Sequence, residues 1–314
     1  MTAAQNNTKG ILFILIGMIV FSIQDALIKF IYEDTALYEL YLGRTLSAAF
    51  FLFCYMKFTK QKVNFKTHYP LLTTIRIICF FFGFSFFYIS LTYMSLAMAN
   101  ALFFSSPFFV SILAVIFLNE KVGIRRWLAI SAGFIGVFIV LNPDFNEFDY
   151  KKLAPIACAL CYSISMTITK YTSDKDNSYT QMMHLYFGAT IISILFFIFT
   201  GDGQFNTSSD PTFQFIFREW FINPTYAWPI IILMGFIGAL AFFCVFNAYS
   251  IASPSVVSLY EYSLIIWSII IGYILFDNIP TIRTFVGVSI IIGAGIYIYL
   301  REKVKDQMIV TDTP

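Results

Sequence analysis

Apolar residues in this chain fall in long, nearly unbroken runs separated by short polar connections. About 20 apolar residues, rising 1.5 Å each in a helix, cross a hydrocarbon core of roughly 30 Å. Runs of that length predict ten spanning helices, at 10–32, 36–56, 69–93, 97–118, 124–141, 152–171, 180–200, 228–250, 254–276 and 281–300. The connections are a few residues long except at 201–227, a polar loop that holds Asp202, Asp210, Arg218, Glu219 and Trp220. The expected fold is an all-α membrane protein with no soluble domain and short tails at 1–9 and 301–314. The first run is too long for a cleaved signal and carries Asp25 and Lys29. It is read as a retained first helix.

Composition makes the same case independently. Of 314 residues, 59% are hydrophobic and 12% charged, with a mean hydropathy of +0.76. A soluble protein has about 25% charged residues to cover its wetted surface. This chain has too few, so its apolar residues face lipid. All five cysteines fall inside predicted helices, and the C-x-x-C spacing of Cys158 and Cys161 lies in an apolar run with no βαβ context. They are read as small packing residues. The net charge of +2 says little about partners, and no nucleic-acid partner, metal or cofactor is expected.

Lysine and arginine set the orientation. With the N-terminus inside, the cytoplasmic segments hold Lys9, Lys57, Lys60, Lys62, Lys66, Lys121, Arg125, Arg126, Lys175, Arg301, Lys303 and Lys305. The outer segments hold Lys151, Lys152, Arg218 and Arg283. That bias puts both termini in the cytoplasm.

The two halves of the chain resemble each other. Phe21-Ser22 and Lys29 recur 141 positions on as Tyr162-Ser163 and Lys170, and Tyr38 recurs as Tyr179. Glu120, Arg126 and Gly136 recur 157 positions on as Asp277, Arg283 and Gly293, and the 201–227 loop absorbs the difference. Five helices per copy is an odd number, so the second copy is expected to be inverted in the membrane. Two inverted five-helix repeats, 10–141 and 152–300, around a central cavity suit alternating access.

A charge inside a span is expensive and normally pairs or lines a cavity. Asp25, roughly 22 Å along the first helix, and Arg44 in the second share an outer level and are expected to pair if those helices touch. Lys29 and Glu39 belong to the same charge cluster, whose bland role is to pin helices 1 and 2. Asp25 is alternatively a proton or substrate site. Glu261 lies near mid-bilayer, on a face with Ser258, Ser268 and Gly272 and flanked by Tyr260, Tyr262 and Trp267. A carboxylate among aromatic rings suits an organic cation. The competing reading is a buried ion pair with Arg76. Asn100, Phe103, Phe104, Pro107 and Ser111 form a stripe on helix 4, where Pro107 is expected to bend the helix and expose carbonyls. Tyr88, Asn100 and Phe104 are weaker binding candidates, and Arg44, Arg76 and Pro107 are candidates for coupling or gating. Gly133, Gly136, Gly287, Gly293 and Gly295 are read as packing positions, in a monomer or at a homodimer interface. His184 is read as a hydrogen-bonded structural residue.

The stretch Ser95 to Leu141, with Ser106-Pro107, Leu118-Asn119-Glu120-Lys121 and Arg126-Trp127, resembles the EamA family of the drug/metabolite transporter superfamily. Ala248 to Glu302, with Tyr260-Glu261-Tyr262, Trp267 and Phe276-Asp277, resembles the same module's second copy, and Phe21 to Asp25, Lys29 and Arg44 resemble its first two helices. The resemblance implies ten helices as two inverted repeats and secondary transport or exchange of a small metabolite. It points to a bacterial branch of S-adenosylmethionine-type and riboflavin-type carriers in the inner membrane. Those solutes differ in charge, so the resemblance does not choose between them; the carboxylate of Glu261 among aromatic rings makes the expected solute a small cationic or zwitterionic molecule, with a proton or an exchanged solute as coupling partner. An anionic or neutral solute read by Arg44 or Arg76 is the alternative. No nucleophile–base constellation or nucleotide loop supports an enzyme.

Overall fold

The computed structural model describes residues 3–61, 65–141, 151, 153–277, 281–283, 285–290, 292–294 and 296–297. Lys62, Lys152, Gly295, Arg301, Lys303, Lys305 and the 301–314 tail, which entered the charge count and the glycine reading, lie outside the described residues. Twelve helices follow in order: α1 (Ala3–Ile31), α2 (Leu37–Phe58), α3 (Pro70–Ser90), α4 (Leu96–Phe103), α5 (Ser106–Leu118), α6 (Ile124–Leu141), α7 (Leu153–Thr172), α8 (Ser178–Thr200), α9 (Pro211–Phe217), α10 (Ala227–Ile251), α11 (Pro254–Tyr260) and α12 (Ser263–Phe276). A further helical stretch runs over Phe285–Ala294. Among the described residues, seven helical segments are long and apolar enough to cross a membrane: Asn7–Ile31, Pro70–Ser90, Met98–Leu118, Leu153–Thr172, Ser178–Thr200, Ala227–Ile251 and Pro254–Phe276. Helix α2 is as long, at 22 residues, but carries Glu39, Arg44 and Lys57. Trp127–Gly136 and Phe285–Ala294 are shorter apolar helices. Phe50, Ile116, Phe199 and Ile274 stand exposed on outward faces, as lipid contact requires. The chain is a multi-pass membrane protein whose regular structure, among the described residues, is all helical.

Two of the expected spans are each interrupted. The run 97–118 parts at Phe104–Ser105 into α4 and α5, and 254–276 parts at Glu261–Tyr262 into α11 and α12. Pro107 begins the first turn of α5, where its missing N–H would have had no partner across the break. At the second break the turn tightens, Glu261 N donating to Ser258 O and Leu264 N to Glu261 O at 3.3 and 2.9 Å. Both spans end alike, with Asn119 and Asp277 in the left-handed conformation at φ 52° and 51° that short polar side chains tolerate. The 201–227 stretch is more than a wetted loop. Asp210 caps α9 by accepting from Thr212 N at 2.8 Å, and Phe215 and Trp220 are buried.

Helix α1 packs on α10, α10 on α2, and α3 on α7. Without a hydrophobic force between helices in lipid, close contact depends on small residues. A Cβ at Gly83 would sit 2.7 Å from Cys161 Cβ, and one at Gly235 would sit 2.7 Å from the carbonyl of Arg44. Gly133 has the expected packing role, backed against the ring of Tyr262. At Gly293 no described residue lies within 4 Å of the Cβ position.

Lysines tie the helix ends together. Lys29, in the last turn of α1, donates to the carbonyls of Leu91 and Met94 just past α3. Lys170, in the last turn of α7, donates to Ser250 O at the end of α10, at 3.0 Å. Each ammonium satisfies carbonyls that a helix C-terminus leaves without partners. Lys29 thus serves α3, correcting its expected place in a charge cluster with Glu39. The end of α1 lies at the C-terminal end of α3, whereas Thr172 at the end of α7 meets Arg76 near the start of α3. Helices α1 and α7 therefore run in opposite directions. Their last residues are 31 and 172, α2 and α8 begin at 37 and 178, α3 and α10 begin at 70 and 227, and the two breaks begin at 104 and 261. These pairs reproduce the offsets of 141 and 157 found in the sequence.

Candidate functional site

Side chains from α1, α3, α4, α7 and α12 enclose a central cavity lined by Met18, Phe21, Asp25, Phe84, Phe87, Asn100, Phe103, Tyr162 and Leu264. Its volume of ≈ 20 Å³ holds about one water. That volume is too small for a metabolite. Asp25 is 4% exposed, with Asn100 and Arg44 as its polar neighbours. Asn100 is fully buried; its Nδ2 donates to Ser268 Oγ at 2.9 Å while its Oδ1 has no hydrogen-bond partner. The rings of Phe103 and Tyr162 meet edge-on at 5.2 Å, and Phe21 stacks on Phe84 at 6.4 Å. Asp25 thus brings a carboxyl group into a cavity whose wall is otherwise mostly aromatic and aliphatic.

Glu261 lies immediately behind this wall. The α11–α12 break turns its side chain inward, where Oε1 accepts from the hydroxyls of Tyr162 and Tyr249, each at 2.6 Å. Its Oε2 accepts from Ser106 Oγ at 3.4 Å, at the start of α5 beside the other break. Tyr162 therefore has its ring in the cavity wall and its hydroxyl on Glu261.

Neither expected ion pair forms. Arg44 donates to the hydroxyl of Tyr88, which also accepts from Gln24 Nε2 at 3.3 Å, and its guanidinium lies 5.0 Å from the Tyr41 ring. Arg44 is engaged by Tyr88 and forms no ion pair with Asp25, though it remains among its charged neighbours. Arg76 donates to Gln181 Oε1 at 2.5 Å and to Thr172 Oγ1 at 3.5 Å, and lies 5.9 Å from the Phe246 ring. Its helix faces α7 and α8, so Arg76 turns to them and away from Glu261.

Knots of polar side chains lie at the two ends of the bundle. At the Thr172 end, Asp176 accepts from Thr67 Oγ1 at 2.5 Å and pairs with His68 Nδ1 at 2.9 Å. Burial works against the charge on Asp176, but the hydrogen bonds from Thr67 and His68 hold its carboxyl below the usual range. His184 is hydrogen-bonded to Phe65 O at 2.8 Å. At the Ile31 end, Glu39 accepts from Phe221 N at 3.1 Å and Asn223 Nδ2 at 2.6 Å, Arg218 donates to Glu33 O, and Tyr226 to Asp34.

The remaining candidates scatter. Phe104 is buried at the first break against Tyr262, and Pro107 is buried one turn beyond. Tyr260 and Tyr262 line a separate crevice of ≈ 410 Å³ with Thr8, Ile11 and Ile292. Trp267 is half-buried and lines neither cavity. The hydrogen bonds to Glu261 come instead from Tyr162, Tyr249 and Ser106, on other helices. Tyr249 and Ser106, which do hold it, carried no sequence signal as ligands. Tyr162 did carry one, as the repeat mate of Phe21, and both line the cavity.

A multi-pass helical bundle closed over a polar and aromatic cavity is the build of a solute carrier. The chain belongs to the EamA-like transporter family, whose model matches residues 8–142 and again 152–301. It is 25% identical over 301 residues to the S-adenosylmethionine uptake transporter of Rickettsia prowazekii, covering 96% of each chain. It is 27% identical over 207 residues to the riboflavin transporter of Vibrio cholerae, covering 66% of this chain and 63% of that one. A solved crystal structure shares the fold at a TM-score of 0.69 and 11% identity, over 96% of this chain and 99% of the other.

Proposed function

We propose that this protein is a secondary carrier that moves a small cationic or zwitterionic metabolite, chemically unchanged, by alternating access. In this reading ten helices form two inverted repeats, 10–141 and 152–300, in a bacterial inner membrane with both termini cytoplasmic. The matched helix boundaries and the opposed α1 and α7 support the repeats. Exchanging the conformations of two inverted halves turns a cavity from one side to the other. The single observation that carries the choice of solute is Asp25, a carboxylate that lines an aromatic cavity and forms no ion pair with Arg44. Glu261, held by tyrosines behind the wall, supports the site without lining it. Of the solutes named for the relatives, a sulfonium such as S-adenosylmethionine suits the rings and carboxylate better than neutral riboflavin does.

The test is uptake of labelled S-adenosylmethionine and riboflavin into proteoliposomes. Asp25→Asn should cut sulfonium uptake by about tenfold or more, the loss of one charge contact of roughly 1.4 kcal/mol or more. Efficient riboflavin uptake, equal in wild type and Asp25→Asn, would sink the cation assignment.

A second reading has its own observation. Arg76 is fully buried, yet its Nε and one Nη have no hydrogen-bond partner, leaving donors that an anionic solute would satisfy. Thermal stabilisation by carboxylates, with no response to sulfonium or ammonium compounds, would select it.

A further inference from the structure

We propose that Asn100 makes the central cavity selective for a protonated amine, its side-chain oxygen accepting a solute N–H beside the Asp25 carboxylate. The inference rests on the cation reading of that cavity and names the kind of cation. The charged atom must carry hydrogen, which sulfonium and quaternary ammonium poles do not.

The orientation of the Asn100 amide is fixed from outside the cavity. Its Nδ2 lies 2.9 Å from Ser268 Oγ, on the other broken span. A serine hydroxyl has one hydrogen, and Ser268 donates it to Leu264 O, one turn back on its own helix, at 2.9 Å. That bond belongs to the helix and not to Asn100. Ser111, 157 positions earlier, makes its counterpart to Pro107 O at 2.8 Å. With its hydrogen committed, Ser268 Oγ can only accept, so the amide nitrogen faces it and the amide oxygen faces away. The same amide is hydrogen-bonded to the Asp25 carboxyl. Its Oδ1 is buried and has no hydrogen-bond partner among the described residues, so the bond to Asp25 also comes from the nitrogen. The position 157 residues on from Asn100 is Val257, so only one half of the chain supplies this amide.

The rest of the wall brings no donor. The side chains of Met18, Leu264 and the lining phenylalanines carry none, and the Tyr162 hydroxyl donates to Glu261 at 2.6 Å. Nearby donors are turned elsewhere, since Arg44 and Gln24 both reach the Tyr88 hydroxyl. Among the described residues, the lining side chains therefore offer acceptors only: the carboxylate of Asp25 and the amide oxygen of Asn100. The solute has to bring the hydrogens.

An ammonium group complements that pair of acceptors. Its charge meets Asp25 and the rings, and its hydrogens meet both oxygens. A sulfonium or trimethylammonium pole satisfies the charge but leaves Oδ1 facing a group with nothing to donate. A site that hydrogen-bonds a solute N–H rejects the analogue lacking it, because the buried acceptor is then left unpaired. A zwitterion with both poles, such as S-adenosylmethionine, would therefore seat its α-ammonium in the cavity and leave its sulfonium outside the Asp25–Asn100 pair.

The experiment uses full-length protein in proteoliposomes and sets uptake of labelled S-adenosylmethionine against unlabelled competitors. One is S-adenosylmethionine itself. The second is its thioether analogue, which keeps the ammonium and loses the sulfonium charge. The third is its N-trimethyl analogue, which keeps both positive charges and loses every ammonium N–H. In wild type, N-trimethylation is expected to raise the half-inhibitory concentration by about tenfold or more, and loss of the sulfonium charge by less than about threefold. In Asn100→Leu the gap between S-adenosylmethionine and its N-trimethyl analogue should close to within about threefold. Equal competition by those two compounds in wild type overturns the proposal, as does a larger loss for the thioether than for the N-trimethyl analogue. So does an Asn100→Leu protein that keeps the wild-type gap, since an amide that only ties α4 to α12 affects all competitors alike. If Asn100→Leu does not fold, Ser268→Ala frees the amide to rotate and should narrow the same gap; an unchanged gap overturns the proposal. Riboflavin uptake with no response to any of the three compounds strikes the cation reading itself, and the inference falls with it.

Discussion

The buried charged residues of this protein differ less in depth than in what the fold has placed beside them. Asp25 faces rings, Glu261 faces hydroxyls, Arg44 faces the rings and hydroxyl of tyrosine, and Arg76 faces an amide. Depth along a helix was readable from residue number, and it put Asp25 and Arg44, and Arg76 and Glu261, at shared levels. It said nothing of azimuth, which is why both expected pairs failed. Asp176 shows the energetic side of the same point outside the spans. Its folded carboxyl titrates below the unfolded value because Thr67 and His68 donate to the charged form. A depressed acid contributes stability above the unfolded value, near pH 4, and loses it as pH falls through the folded value. Melting in detergent should therefore hold steady down to about pH 4 and fall below it, and Asp176→Asn should flatten that fall. An equally steep acid fall in the variant would place the titration elsewhere.

At the scale of helices, the long apolar runs were plain in the sequence because lipid demands some 20 apolar residues whatever lies inside. The two breaks were less plain. Pro107 announced a disturbance in the fourth span, but no proline lies at Glu261–Tyr262, where the turn is set by tertiary partners. The short α9 and the buried Trp220 hid in a stretch that reads as polar. Close packing is a matter of single atoms. Gly83→Ala places a methyl carbon 2.7 Å from Cys161 Cβ across the α3–α7 contact. It should destabilise the protein by about 1–3 kcal/mol, as overpacking does. Gly123→Ala, with nothing within 4 Å, is the control and should leave the melting temperature unchanged. Equal melting of the two variants would mean that the α3–α7 contact is looser than described.

For the molecule as a whole, polar knots lie at both ends of the bundle and a cavity of ≈ 20 Å³ lies between them. Glu39 is the centre of the knot at the Ile31 end, taking bonds from Phe221 N and Asn223. Glu39→Ala should cost about 1–3 kcal/mol of local closure and speed amide exchange over 218–226 roughly tenfold or more. Exchange over 65–69, at the other knot, should not change; a rise at both ends would show that the knots are not independent. Hydrophobic length by itself determined a multi-pass helical chain, because the bilayer sets the length of a span whatever lies inside it. Only the tertiary structure decided that Glu261 meets Tyr162, Tyr249 and Ser106, and that the cavity belongs to Asp25. Those contacts join side chains 12 to 155 residues apart, and no local pattern specifies which face of one helix another will cover.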